Sequence, residues 1–177
     1  KEELRGFLNI LKSYDVEVFR PQNIFDCNQI FTRDVGFVIE DSFFISNMLF
    51  KRKREILGFD LILKQVNSSK INHIPSDVFV EGGDVVVSEN YIFLGYSNDT
   101  DFHRFEVSRT NKEALFFFKH LFPNKKIIGF ELNKSDIFSL DNCLHLDCCF
   151  QPLGLGHVIV YPEGFKNASD LELINNI

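Results

Sequence analysis

Glu81-Gly82-Gly83-Asp84-Val85-Val86-Val87-Ser88-Glu89-Asn90-Tyr91-Ile92-Phe93-Leu94-Gly95-Tyr96 joins an acidic, glycine-bearing turn to a run of β-forming residues that is broken once. The valines and aromatics on either side of Ser88-Glu89-Asn90 predict a hairpin with strands over 84–87 and 91–96. A short strand over 70–74, ended by Pro75, precedes it, and a helix over about 111–122, closed by Pro123, follows it.

The same order recurs on both sides. Toward the N-terminus, 16–19 alternates as a strand, 29–39 reads as a second, Glu40-Asp41-Ser42 as a turn, 43–46 as its partner and 50–66 as a helix. Toward the C-terminus, 126–130 reads as a strand, 144–150 and 157–161 as a hairpin about Gly154-Leu155-Gly156, and Ser169-Asp170 as the start of a helix. An amphipathic helix over 2–14, with Leu4, Phe7, Leu8 and Leu11 at helical spacing, stands in front. The chain therefore reads as an α/β protein of one domain, built from three β–ββ–α repeats at approximately 16–66, 70–122 and 126–177. Nothing resembles a closing cap, so the array is expected to be incomplete.

Bulk properties narrow the function classes. The 177 residues suffice for a sizeable core, and 21 phenylalanines with no tryptophan predict a strongly aromatic one. A net charge of −6 argues against a nucleic-acid surface and favours cationic ligands. No apolar run is long enough for a membrane span, and no signal peptide is visible. Cys27, Cys143, Cys148 and Cys149 fit neither a disulfide scaffold nor a zinc ribbon, which points to reduced thiols and a cytoplasmic location.

Three acidic motifs occupy equivalent places in the three repeats: Phe31-Thr32-Arg33-Asp34, Glu81-Gly82-Gly83-Asp84 and His145-Leu146-Asp147. Asp34 lies in a largely apolar segment, an unfavourable place for an unpaired carboxylate. The two glycines beside Glu81 permit close backbone approach. Alternation along a strand places His145 and Asp147 on one face, where the carboxylate holds the imidazole protonated for general-acid work. Repeats around one axis bring Asp34, Glu81, His145 and Asp147 to a single pocket suited to a cationic substrate that exchanges protons.

Each motif also has a plain structural reading. His145–Asp147 can be a pair satisfied within a sheet, and Glu81-Gly82-Gly83-Asp84 an ordinary turn with solvated acids. Arg33 faces away from Asp34 and can partner an acid elsewhere. The basic run Lys51-Arg52-Lys53-Arg54 is either a solvated face or a dock for a substrate carboxylate. The cysteines read as packing residues, and His73, His103, His120 and His157 as surface or core residues.

Taken together with Asn28, which precedes Phe31 by three positions, the motifs resemble the guanidino-group-modifying (pentein) superfamily of arginine deiminase, dimethylarginine dimethylaminohydrolase and amidinotransferase. The likeness runs over nearly the whole chain in the right order. It implies a five-bladed α/β propeller of ββαβ units, with about three blades here. It also implies a small guanidino substrate and neither cofactor nor metal. By motif, Asp34 and Asp147 grip the guanidinium, Glu81 contacts it and orients His145, and His145 is the acid/base. Asn28 and Phe31 line the substrate, and Arg109 of Arg109-Thr110-Asn111, with Arg52 as a second candidate, holds a substrate carboxylate.

The family nucleophile is a cysteine near the C-terminus, and none of the four cysteines matches its motif. The chain is therefore expected to be a piece of a longer enzyme that carries the thiol beyond Ile177. Other readings stay open: an amidinotransferase, a non-catalytic binding module, or a metalloenzyme using His145, Asp147 and Cys149. Self-association is also left open.

Overall fold

The computed structural model describes residues 2–176. Helix α1 (Glu2–Ser13) forms as expected, but its apolar stripe of Leu4, Phe7 and Ile10 stays exposed. The one-turn helix α2 (Thr32–Val35) leads into β1 (Gly36–Ile39), which pairs antiparallel with β2 (Ser42–Ile45). A 3₁₀ helix (Phe50–Phe59) and α3 (Asp60–Leu63) then cross over to β3 (Ile71–His73), parallel to β2. The next sheet repeats this path: β4 (Val85–Ser88) is antiparallel to β5 (Tyr91–Tyr96). Helices α4 (Asp99–Arg104) and α5 (Glu113–Leu121) carry the chain to β6 (Lys126–Glu131), parallel to β5. The last hairpin, β7 (Phe150–Gly154) with β8 (His157–Val160), precedes α6 (Ala168–Ile174).

The middle sheet explains the uninterrupted apolar run of its strands, because both faces are buried. Val85, Ile92 and Leu94 face one core with Phe37, Phe44 and, from α5, Leu115 and Phe118. Val86 and Phe93 face a second core with Phe130, Leu132, Leu146, Phe150 and Phe165. Alternation along β4 and β5 thus sends successive residues into different cores.

Four expected elements differ. Residues 16–19 are not a strand. The strand expected over 29–39 begins only at Gly36, because Thr32–Val35 closes a helical turn first. The helix expected over 50–66 is largely 3₁₀; residues three apart eclipse in that geometry, which lets Arg52 lie against Glu55. The strand expected over 144–150 begins at Phe150, and Leu146–Cys148 is instead a 3₁₀ turn.

Candidate active site

The three acidic motifs share one local geometry. Phe31, Glu81 and His145 each stand at the head of a single helical turn that ends at or just before the first strand of a hairpin. Each head carbonyl accepts from the amide three residues on: Asp34 N to Phe31 O at 3.1 Å, Asp84 N to Glu81 O at 3.0 Å and Cys148 N to His145 O at 3.1 Å. Turning the chain at the sheet end, rather than extending it, lets side chains from three separate units meet.

Close approach is enabled by the two glycines. A Cβ on Gly82 would overlap the carbonyl oxygen of Arg33, and one on Gly83 would lie 2.7 Å from His145 Cγ and 2.9 Å from Asp34 Oδ1. The glycine pair is therefore where the first and third motifs pack on the second.

At the meeting point His145 Nε2 lies 3.0 Å from Glu81 Oε2, and His145 Nδ1 lies 3.7 Å from Asp34 Oδ1. Glu81 is fully buried, with Asp34 and His145 at 4% exposure. Arg52 sits in the same group: its Nη1 donates to Asp34 Oδ2 at 2.9 Å and to Glu81 Oε2 at 2.5 Å. Its Nε and Nη2 grip Glu55 at 2.8 and 2.9 Å. The guanidinium thus bridges three buried carboxylates, the pairing geometry that favours arginine over lysine.

The charges reinforce one another. Burial opposes protonation of His145, but the Glu81 hydrogen bond and the charges of Asp84, Asp34 and Glu81 outweigh it and raise its pKa. Burial likewise opposes the charge on Arg52, and its bonds to Glu55 and Asp34 with the charge of Glu81 overcome that and raise its pKa further. Glu81 Oε1 and Arg109 Nε are buried with no hydrogen-bond partner among the described residues, although Arg109 Nε stands 3.7 Å from Glu81 Oε2. A fully buried carboxylate oxygen without a donor is unfavourable unless something else donates to it.

A pocket of about 320 Å³ opens from this centre. Asn28, Phe31, Asp34, Arg52, Glu55 and Arg109 are among its lining residues, and Cys27 is in its wall. Its lining is mixed in charge, with Asp26, Asp34 and Glu55 beside Lys51, Arg52, Arg54 and Arg109.

The structure brings together Asp34, Glu81, His145, Arg52 and Arg109, with Asn28 and Phe31 in the pocket wall. Asp147 is not on the His145 side of a strand. The turn over Leu146–Cys148 rotates it outward, where Arg33 Nε donates to it at 2.9 Å. Arg33 is thus the partner of an acid on another element, and its Nη2 also donates to Val85 O at 2.9 Å. Cys149 Sγ is buried against Leu146 O, so the grouping of His145, Asp147 and Cys149 does not form. Among the described residues, Asp34, Glu81 and His145 are the acidic and imidazole groups that cluster, with one side-chain donor atom of each within 4.8 Å of the others. Sequence reasoning passed over Glu55, and it named Thr110 and Asn111 only as neighbours of Arg109 without a role of their own. Asn111 Oδ1 accepts from Phe79 N at 2.9 Å and its Nδ2 donates to Asp77 O at 2.8 Å, which fixes the approach to Glu81. Its signal in the sequence was the run Arg109-Thr110-Asn111 just before an apolar helix.

Repeated small sheets and helices present buried carboxylates and a histidine whose pKa they raise, and this arrangement points to a class of protein. A family model for arginine deiminase matches residues 26–176, and the chain belongs to that family, within the guanidino-group-modifying (pentein) superfamily. Relatives include the Bacillus subtilis protein YkgA, 27% identical over 91% of this chain and 51% of its own length. Another is the bifunctional arginine dihydrolase/ornithine cyclodeaminase AgrE of Nostoc, 25% identical over 96% of this chain and 22% of its own. The chain thus spans about half of YkgA and less of AgrE. Among solved structures, the N-terminal domain of the cyanobacterial arginine dihydrolase ArgZ, a cysteine-to-serine mutant bound to substrate, superimposes with a TM-score of 0.73 at 19% identity, covering 98% of this chain and 59% of that one. Dimethylarginine dimethylaminohydrolase from Pseudomonas aeruginosa, complexed with citrulline, gives 0.69 at 18% identity, covering 90% and 57%. The α/β fold is shared with these structures.

Proposed function

We propose that this chain forms the substrate-binding part of a hydrolase acting on arginine or an arginine derivative, in a five-bladed propeller of which three blades lie here. The observation that carries the proposal is the Arg52 guanidinium held between Asp34 and Glu81, beside a Glu81 oxygen with no donor of its own among the described residues. The carboxylates are already spaced for a planar cation, and a substrate guanidinium takes the place of that of Arg52. Two anions against its nitrogens hold the charge and leave the central carbon electrophilic. Arg109, and Arg52 once displaced, meet the substrate carboxylate, while Asn28 and Phe31 line its chain.

His145, whose pKa its carboxylate neighbours raise, is the general acid. A cysteine thiolate, which we place beyond Ile177, attacks the guanidinium carbon. A C–S bond forms, the C–N bond breaks, and the departing amine takes the His145 proton. Neutral His145 then removes a proton from water. The hydroxide adds to the carbon, the C–S bond breaks as thiolate leaves, and the product's hydroxyl proton passes to solvent to give the neutral ureido group. Asp147 serves as a second guanidinium contact if it is freed from Arg33. The four free cysteines accord with a cytoplasmic enzyme.

The test is incubation of the full-length protein with arginine, methylarginines and agmatine, followed by assay for ureido product. Ureido product that disappears in Glu81→Gln supports the proposal. Amidino transfer to added glycine without ureido product assigns an amidinotransferase instead. Guanidine binding without either product leaves a binding module.

A further inference from the structure

Asp84 holds the place in the second acidic turn that Asp34 holds in the first, yet it does not join the clamp. Its side chain is 1% exposed and turns toward the third motif. Oδ1 accepts the backbone N–H of Leu146 at 3.0 Å, the amide directly after His145. Oδ2 accepts the hydroxyl of Thr110 at 2.6 Å. The same Thr110 oxygen accepts the backbone N–H of Glu81 at 3.3 Å, so one hydroxyl joins the backbone of the clamp acid to the carboxylate that holds the histidine loop.

The other side of that loop is held by a cation. Lys134 Nζ donates to the carbonyls of Cys143 and Leu144 at 2.7 and 2.8 Å, the two residues before His145. Cys143 Sγ donates to the His145 carbonyl at 3.1 Å. His145 is therefore fixed by a carboxylate on the amide after it, an ammonium on the carbonyls before it, and Glu81 and Asp34 on its ring. Leu146, buried in the second core, anchors the same turn.

We propose that Asp84, seated by Thr110 and countered by Lys134, is a positioning residue that sets both the orientation and the charge of His145. The role rests on the reading of His145 as the acid of a guanidine-modifying enzyme. A buried anion next to the imidazole favours its protonated form, and a buried carboxylate with two donors and a nearby cation is held in place rather than expelled. Both Asp84 oxygens accept from a donor, as a carboxylate does. Burial raises the Asp84 pKa and lowers that of Lys134, each toward its neutral form, and the mutual attraction of Asp84, Lys134 and His145 opposes that effect. The charged and titratable groups around the ring are Glu81, Asp34, Asp84, Lys134 and Cys143, with Arg52 and Arg109 reaching it through Glu81.

Histidine-selective NMR on this chain tests the role without any substrate. Asp84→Asn preserves an acceptor for the Leu146 amide but removes the charge, and the His145 pKa is expected to fall by about one unit. Thr110→Val is expected to speed hydrogen exchange of the Leu146 amide about tenfold through local opening of the loop, and Thr110→Ser is expected to restore it. An unchanged His145 titration in folded Asp84→Asn overturns the proposal, and so does unchanged Leu146 exchange in Thr110→Val. If Asp84→Asn does not fold, the threonine pair decides alone. Because no reaction is measured, failure here is distinct from failure of the functional assignment. In the full-length enzyme the same Asp84→Asn change is expected to lower kcat and shift the basic limb of its pH profile down by about one unit, with KM little changed.

Discussion

Removing the Arg52 side chain asks whether the clamp requires a guanidinium. Arg52→Ala removes the shared partner of Asp34, Glu55 and Glu81, which are 4, 5 and 0% exposed in the parent, and leaves them His145 and the more distant Arg109. Deleting one partner of a buried ionic group destabilises by roughly 3–5 kcal/mol, since the remaining charge stays desolvated. Proton uptake by one carboxylate limits the loss, so about 3 kcal/mol is expected at neutral pH. For a domain of this size that lowers the Tm by roughly 6–12 °C. Methylguanidinium is then expected to refill the clamp. At a hundredfold excess over its Kd it returns about 2.7 kcal/mol, most of what was lost. Calorimetry of the parent and of Arg52→Ala, with methylguanidinium, methylammonium and methylurea at equal millimolar concentration, measures this directly. The variant should be rescued by methylguanidinium far more than by the other two, and more than the parent, in which Arg52 must first be displaced. A variant as stable as the parent, or rescue by methylurea to the same degree, refutes the electrostatic reasoning.

Three further outcomes follow from the same geometry. The raised pKa of His145 means that its stabilising contribution is fully present below its ordinary value of 6.5 and is lost as pH rises through the higher folded value, so the Tm difference between parent and His145→Gln should shrink on the alkaline side of 6.5. Gly83→Ala puts a methyl 2.7 Å from the His145 ring and 2.9 Å from Asp34. It should cost about 1–3 kcal/mol by overpacking, read by chemical denaturation, and should abolish guanidinium binding. Alkylation of the native protein by iodoacetamide, followed by mass spectrometry, should modify exposed Cys148 and then Cys27 while sparing buried Cys143 and Cys149.

The middle repeat was the most legible part of the sequence. Its hairpin, the helix over α5 and the strand β6 form within a residue or two of expectation, because β-branched runs and Pro123 act locally. The meeting of Asp34, Glu81 and His145 was also legible, since repeats put equivalent turns at equivalent sheet ends. What failed was the conformation of those turns. An alternating pattern could not show that Leu146–Cys148 curls, because the bond that caps it comes from Asp84, 62 residues earlier. The error propagated to Asp147, which pairs with Arg33 across 114 residues. Arg52 was singled out for its basic neighbours, yet its position is set by three carboxylates, two of them on other elements.

The most direct measurement is a crystal structure of the protein with a bound arginine-type ligand. The ligand guanidinium is predicted to lie in plane between Asp34 and Glu81, within hydrogen-bond distance of the Glu81 Oε1 that now has no partner among the described residues, with the Arg52 guanidinium displaced. A ligand bound elsewhere while Arg52 keeps its contacts to both carboxylates would contradict the account.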